Sequence, residues 1–434
     1  MLIVYSYKTS NRLEYIIEIL SEYLQLENYL ITTDVEIYKR TNGYKINYSN
    51  QKIYDKEYHI IPHSLLFEEN IIQQKIEVEI VNDLPYFFKN PNSNNFDVLA
   101  SAFYLLTRYE EYLPHSLDEY GRFAHTNSIA FKNNFLHKPI ANSWFRIIKS
   151  ALQNQNLDKA FTERQFYFTP TYDIDMAWSY LHKNIFKQIA GIFVDFFTLK
   201  FSTVINRKLT LFRLKKDPSD VYNWLNKLHS KIKLKPIYFF LVAKTNKGFD
   251  KNINRNNLPF KNLLKEISVE SNVALHPSWQ SVDSIDVLND EIQYLQNTIQ
   301  QPIHYSRQHY IRFFLPNTYH ELIEVGITHD YSMGYGSING FRASYCLPFK
   351  WFDIERNEKT TLTIVPFCYM DANSIFEQKL SPIKSKEELL YYYNVVKNEK
   401  GCLVTIFHNH FLTEEKKYKE WRKMYESFLI ENFT

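Results

Sequence analysis

Residues 165–175 read QFYFTPTYDID. Gln165 to Tyr172 carries a strand pattern, and the strand runs out onto two carboxylates, Asp173 and Asp175. From here the chain keeps a strand-then-helix rhythm. Asp217 and Pro218 read as cap and opening of a helix with Val221, Trp224, Leu225 and Leu228 on its buried face. Pro236 to Val242 reads as the next strand, followed by a helix near 260–268, strand Val273 to Leu275, a helix over 285–299, strand Ile303 to Ser306, and a helix over 317–325 closed by Gly326. Ile327 to His329 restarts a strand. Strand Leu362 to Pro366, a helix over 386–399 stopped by Gly401, strand Cys402 to Phe407 and a terminal helix from about Glu414 complete the series. Repeated βα units favour a parallel sheet covered by helices, open or closed into a barrel.

Upstream the texture is different. Residues 2–6 (LIVYS) read as a strand, Asn11 to Leu26 as a helix, and 44–48, 58–61 and 76–81 as short β-like runs. Helices near 95–112 and 140–154 place Leu99, Phe103 and Leu106, then Trp144, Ile147, Ile148 and Leu152, on one face each, as core stripes do. At 434 residues two domains are expected: an α+β domain over 1–155 and a βα domain over 160–434.

Composition excludes several classes. A net charge of +3 lacks the basic excess of a nucleic-acid binder. Cys346, Cys368 and Cys402 are three, far apart and not in a CxxC pair, so neither a disulfide framework nor a thiolate zinc site is indicated. With nine glycines the chain has no Walker loop, and Gly334, Gly336 and Gly340 have the wrong spacing for a dinucleotide fingerprint. Residues 1–8 lack a basic leader, which predicts a cytoplasmic protein. The aromatic excess, 33 Tyr and 33 Phe, reads as compositional bias.

In parallel βα folds the active site gathers at the carboxyl ends of the strands. Asp173 and Asp175, His276, Arg307 and His309, Asp330, and His408 each follow one of five predicted strands. Taken singly, each has a bland reading: turn-capping aspartates, a satisfied histidine before Pro277, arginines paired with surface carboxylates. Their shared placement favours function.

Several of these stretches resemble the motifs of the polysaccharide deacetylase (NodB-homology) family. Thr171-Tyr172-Asp173-Ile174-Asp175 is similar to its first motif, His276-Pro277-Ser278-Trp279 to its histidine motif, Ser306-Arg307-Gln308-His309-Tyr310 to its arginine motif, and Ile406-Phe407-His408 to its closing histidine motif. Gly340-Phe341-Arg342-Ala343-Ser344 and the stretch from Phe96 to Asn142 resemble bacterial deacetylase-like proteins with a distinct N-terminal domain. The resemblance implies a deformed (β/α) barrel of polysaccharide-deacetylase type, preceded by a smaller α+β domain. It also implies a divalent metal, zinc by preference, held by Asp175 and His276, with Asp173 as general base, Arg307 or Arg342 beside it, and His408 as general acid. The substrate implied is an N-acetylated carbohydrate. The family commonly places a second metal histidine four positions after the first, where this chain has Gln280. His309 is the expected substitute, because consecutive parallel strands are usually neighbours; Asp330 and His410 rank below it, His410 as a solvated neighbour of His408. The rival expectation is a barrel that lost its metal at Gln280 and binds glycan or a partner without turnover.

Residues 181–216 interrupt the rhythm with eight Lys or Arg around an apolar run, Ile189 to Leu199. Such a segment suits peripheral contact with a membrane surface or an anionic glycan, or else a lid packed on its own protein. The apolar run is too short to span a bilayer. Oligomeric state has no sequence signature here.

Overall fold

The computed structural model describes residues 1–91, 95–155, 161–184, 188–189, 197 and 201–433. Much of the basic segment, namely 185–187, 190–196 and 198–200, therefore lies outside the described residues.

The chain opens with β1 (Leu2–Ser6), α1 (Asn11–Tyr23), β2 (Tyr29–Thr32), α2 (Val35–Arg40), β3 (Tyr44–Tyr48) and β4 (Tyr58–Ile60). These strands form a four-stranded sheet of order β2-β1-β3-β4 in which every pairing is parallel. This corrects the α+β expectation for the start of the chain: α1 and α2 act as crossovers, and a crossover returns each strand in the same direction. Among the described residues of this half, antiparallel pairing is limited to two isolated bridges, Lys89 with Phe96 and Leu117 with Phe123, and to the hairpin β5 (Glu79–Val81) and β6 (Leu84–Tyr86). Its two turn residues, Asn82 and Asp83, both have positive φ, as such a two-residue turn requires. Helix α3 (Val98–Leu106) starts at Asp97, whose carboxylate accepts the Leu99 and Ala100 N–H groups. After the short α4 (Ile129–Lys132), α5 (Ile140–Gln153) completes the N-terminal half.

The second half runs β7 (Tyr167–Ile174), α6 (Phe201–Leu211), α7 (Tyr222–Ile232), β8 (Ile237–Leu241), α8 (Leu258–Glu270), β9 (Asn272–His276), α9 (Ile285–Ile299), β10 (Tyr305–Ser306), α10 (Asn317–Glu324) and β11 (His329–Asp330). It continues with β12 (Phe349–Asp353), β13 (Glu358–Ile364), β14 (Tyr369–Met370), α11 (Pro382–Asn398), β15 (Cys402–His408) and α12 (Lys419–Phe433). The sheet order is β12-β13-β11-β10-β9-β8-β7-β15-β14, nine strands, all parallel to their neighbours except β12 against β13. One expected cap is absent: Asp217 does not start a helix but accepts the N–H groups of Ser179, Tyr180, Leu181 and Ser219, and α7 begins only at Tyr222.

Chain length shows that this sheet is strongly curled. In the sheet order β13 and β14 are seven spacings apart, about 34 Å if the sheet were flat. Yet only residues 365–368 separate them in sequence, and the step from Ile364 to Tyr369 spans roughly 18 Å at most when fully extended. The two sides of the sheet must bend toward each other, which brings the strand ends around a common axis.

One continuous core of buried apolar side chains includes residues from Leu2 to Leu429. The halves are also joined by a buried ionic cluster. Arg342 gives two N–H groups to Glu111 (2.8 and 2.6 Å), Arg108 binds Glu111 (2.6 Å) and Glu110 (2.8 Å), and the Arg108 guanidinium donates to the Arg342 carbonyl. Among the described residues no helix is long and apolar enough to cross a membrane. Around the end of α6, Ile205, Phe212 and Leu214 stand exposed beside Lys208, Arg213, Lys215 and Lys216.

Candidate metal and active site

The curled sheet collects the strand-end residues into one cleft of about 230 Å³, lined by Asp173, Asp175, His276, His309, His408 and His410 among others. Asp173 and Asp175 come from the end of β7, His276 is the last residue of β9, His309 lies three residues past β10, and His408 ends β15.

Asp175 is the hub. Its Oδ1 lies 3.2 Å from His276 Nε2 and 3.8 Å from His309 Nε2, and its Oδ2 lies 3.7 Å from His408 Nε2. Each imidazole is fixed from behind. His276 Nδ1 donates to the Arg307 carbonyl at 2.5 Å, His309 Nδ1 to Asp250 at 2.9 Å, and His408 Nδ1 to Asp371 at 2.6 Å. An Nδ1 committed to an acceptor carries the proton, so in neutral His276 and His309 the Nε2 lone pairs face Asp175 Oδ1. That oxygen is buried and has no hydrogen-bond partner among the described residues. Three lone-pair atoms meeting in this way could hold a cation. Spacing agrees: bonds of about 2.0–2.2 Å in a tetrahedron put ligand atoms roughly 3.3–3.6 Å apart. Among the described residues Asp175, His276 and His309 form the one group with metal-ligand spacing.

Gln280 stands one step further out. Its amide donates to Asp250 Oδ2 at 3.0 Å and to the Thr245 carbonyl at 3.0 Å, while Asp250 Oδ1 also accepts the Trp279 N–H at 2.9 Å. It thus braces the carboxylate that orients His309. Burial works against the charge on Asp250, but the bonds from His309, Gln280 and Trp279 lower its pKa below the ordinary value.

Asp173 is buried and bound by Arg307, Nη1 to Oδ1 at 2.7 Å; its Oδ2 lies 3.7 Å from His276 Nε2. Arg307 is fixed by its bond from Nε to the Tyr331 carbonyl and by the Phe239 ring 4.2 Å below its guanidinium. Arg342, the other arginine proposed for this place, is not at the cleft. It is locked to Glu111 and to the Gly334 carbonyl, so that expectation is corrected: a buried carboxylate from the N-terminal half claims it first. Asp330 likewise turns away to accept the Ser306 and Ser332 hydroxyls. His410 lines the cleft instead of standing in solvent.

The charges around the hub are strongly coupled. Burial would raise the Asp175 pKa, but His309, His408 and His276 hold it well below the usual carboxylate range. Burial disfavours charge on His408, yet the Asp371 and Asp175 carboxylates push its pKa up to about 10. His410 goes the other way, to about 4, through burial and the neighbouring His408. Asp250 and Asp371 were missed in the sequence. Asp371 follows the end of β14, so the strand-end rule would have found it had a two-residue strand been visible. Asp250 sits in the loop after β8 and gives no local signal.

Comparisons with known proteins give one family-model match and several structural likenesses. Residues 2–157 match the model of a family of unknown function (DUF7033). No curated protein matches the chain. Among solved structures, the chain is similar to a Mycobacterium smegmatis protein described as a polysaccharide deacetylase, with 12% identity, TM-score 0.39, and coverage of 62% of this chain and 86% of that one. It is also similar to the allantoinase PuuE (10% identity, TM-score 0.40, 62% and 87% covered) and to a polysaccharide deacetylase of Bacillus cereus (10% identity, TM-score 0.29, 62% and 88% covered).

Proposed function

We propose that the protein is a metal-dependent hydrolase that removes acetyl groups from an N-acetylated saccharide or glycan intermediate, working at the mouth of a sheet curled into a deformed (β/α) barrel. The reading rests on one observation. Asp175, His276 and His309 converge as a ligand set while a second carboxylate and a fourth histidine, each with its own buried partner, face the same cleft.

A divalent ion such as zinc, when bound by Asp175, His276 and His309, supplies the Lewis acidity that lets water ionise near neutral pH. The chain's own groups divide the proton transfers. Arg307 engages Oδ1 of Asp173, which leaves Oδ2 turned to the cleft to take the proton of the attacking water. The water oxygen bonds to the acetyl carbon, the carbon–nitrogen bond breaks, and His408 delivers the proton on Nε2 to the departing amine. Asp371 fixes the His408 ring through Nδ1 and keeps it charged for that purpose. The products are acetate and a free amino sugar.

The test is metal analysis beside acetate release on a panel of N-acetylated saccharides. Asp175→Asn should lose metal and turnover together. Asp173→Asn should keep metal and lose about 10² to 10⁴ in rate. Metal loss in Asp173→Asn alone would reverse the two roles. A protein that holds no metal, binds glycans and releases no acetate would establish the rival reading, a barrel that lost its metal at Gln280 and binds without turnover.

A further inference from the structure

The strand-end cleft takes part of its wall from the N-terminal half, through Tyr120 and Arg122. Both lie on a loop closed by the backbone bridge between Leu117 and Phe123. Gly121, at φ 70°, allows the tight turn, and Asp118 braces it by accepting the N–H groups of Tyr120 (3.0 Å) and Arg122 (2.9 Å). Arg122 is buried, and its guanidinium serves two acceptors at once. Nε donates to Asp118 Oδ2 at 2.7 Å, and Nη1 crosses to the second half to donate to the Tyr310 carbonyl at 2.8 Å. A planar fork with fixed donors makes that span; a lysine ammonium, a point charge on a flexible stem, cannot hold both acceptors in the same geometry.

The fork holds the turn that follows His309. Upstream, the second half fixes the chain by itself: the Arg307 N–H donates to the Leu275 carbonyl, the Gln308 N–H to Ser332 Oγ and the His309 N–H to the Pro277 carbonyl. Downstream, Tyr310 and Ile311 both have left-handed φ, 60° and 55°, costly for any side chain and most of all for a β-branched one. Such a backbone persists only where its surroundings hold it. The Ile311 and Arg312 N–H groups close the turn onto the Gln308 and His309 carbonyls, and the Tyr310 carbonyl is taken from the other half by Arg122. Gly336 leaves the room for this, since a Cβ there would collide with Arg122 Nη1 and crowd the Tyr310 oxygen at 3.0 Å.

The contact belongs to a firm joint. Residues 331–348, between β11 and β12, form no helix or strand, and the N-terminal half supplies partners along them. His125 Nδ1 pairs with the Ser337 hydroxyl at 2.8 Å, the Leu136 carbonyl accepts the Phe341 N–H at 2.8 Å, and Asn142 Oδ1 accepts the Cys346 N–H at 3.0 Å. Arg122 therefore reaches Tyr310 from a docked surface.

We infer that Arg122 is a positioning residue for the metal ligand His309, and that through it the N-terminal half is a working part of the metal site. The inference rests on the metal set of the proposed function, Asp175, His276 and His309, and needs nothing of its substrate.

The experiment uses the full chain and three variants: Arg122→Lys, Gly336→Ala and the two combined. Zinc affinity is read by competition with a chromophoric chelator. In the chelated protein, amide hydrogen exchange of the peptide spanning 308–314 is followed by mass spectrometry, with thermal unfolding as the control for folding. Arg122→Lys should weaken zinc binding about tenfold, the lower edge of what losing an outer partner costs a metal site. It should also speed exchange of that peptide about tenfold, as when a local opening has one charged hydrogen bond less to break. Gly336→Ala should do the same by pushing the guanidinium off Tyr310, and the combination should be no worse than either alone, because both remove one contact. Should one single variant fail to fold, the other carries the test. A lowered Tm with zinc affinity intact, unchanged exchange at 308–314, or additive losses in the combined variant overturns the inference. A parent chain that takes up no zinc removes the metal set and the positioning role with it. A parent that binds zinc in an Arg122-dependent way and releases no acetate removes the hydrolase reading and leaves the positioning role standing.

Discussion

Asp250→Asn tests the proposal that His309, held by Asp250, stands in for a metal histidine at Gln280. The side chain keeps its shape. Asparagine oxygen in the place of Oδ1 can still accept from His309 Nδ1 and from the Trp279 N–H, both at 2.9 Å. Its amide in the place of Oδ2 meets Gln280, whose own amide can turn to present oxygen. Only the charge is lost. A hydrogen bond to an ionised acceptor contributes about 1.5–3 kcal/mol and a neutral one about 0.5–1.5 kcal/mol, so His309 loses about 1–1.5 kcal/mol of support for the form that binds a cation. That corresponds to roughly tenfold weaker metal binding, at the lower edge of the usual 10- to 100-fold effect of removing such a partner. The assay is competition for zinc against a chromophoric chelator at pH 7.5, with thermal unfolding of the chelated protein as the control for structure. Unchanged zinc affinity, or a collapse of the chelated protein's Tm with affinity intact, would falsify the chain from Gln280 through Asp250 to His309. The companion variant Gln280→His should not tighten zinc, because position 280 already faces Asp250 and Thr245. A tenfold gain would show that an imidazole at this position can join the ligands after all.

Arg342→Met should act on stability and not on chemistry: leaving Glu111 buried with one partner fewer costs about 3–5 kcal/mol, a Tm drop of about 5 °C or more, with zinc affinity unaltered. A selective loss of turnover at normal Tm would return Arg342 to the active site. Glu291, buried on α9, has its pKa raised from 4.5 to about 7 by burial. With the folded value above the unfolded one, its contribution is fully present below about pH 4.5 and is lost as pH rises through about 7. Glu291→Gln keeps the bond from the Ser278 N–H and should be more stable than the parent at pH 8, by up to about 3 kcal/mol, but not at pH 5; equal Tm differences at both pH values would contradict this. For the exposed end of α6, we expect sedimentation with anionic phospholipid vesicles that weakens in Phe212→Ser/Leu214→Ser and in high salt. Indifference to both changes would leave the segment with no membrane role.

What could be read from the sequence was whatever repeats locally. A period of two or of 3.6 is written in neighbouring residues, so the βα alternation and the residues that close each strand, Asp173, Asp175, His276 and His408, were visible before any contact was known. One short strand failed this test: β14 has two residues, too few to show a period, and Asp371 disappeared with it. In the N-terminal half β1, β3 and β4 were visible, β2 and β6 were not, and strand direction was not, because direction depends on where a crossover packs. Partner choice is different in kind. Asp250 meets His309 across 59 positions, Glu111 meets Arg342 across 231, and Arg122 meets Tyr310 across 188. Nothing in a local pattern can rank such pairs, since each depends on how far the sheet curls and on which buried charge reaches a guanidinium first. The sequence determined which side chains arrive at the strand ends; only the tertiary structure decided that Arg307 takes Asp173, that Glu111 takes Arg342, and that a loop from the N-terminal half closes the cleft, because burial makes each charge bind its nearest opposite and excludes the alternatives.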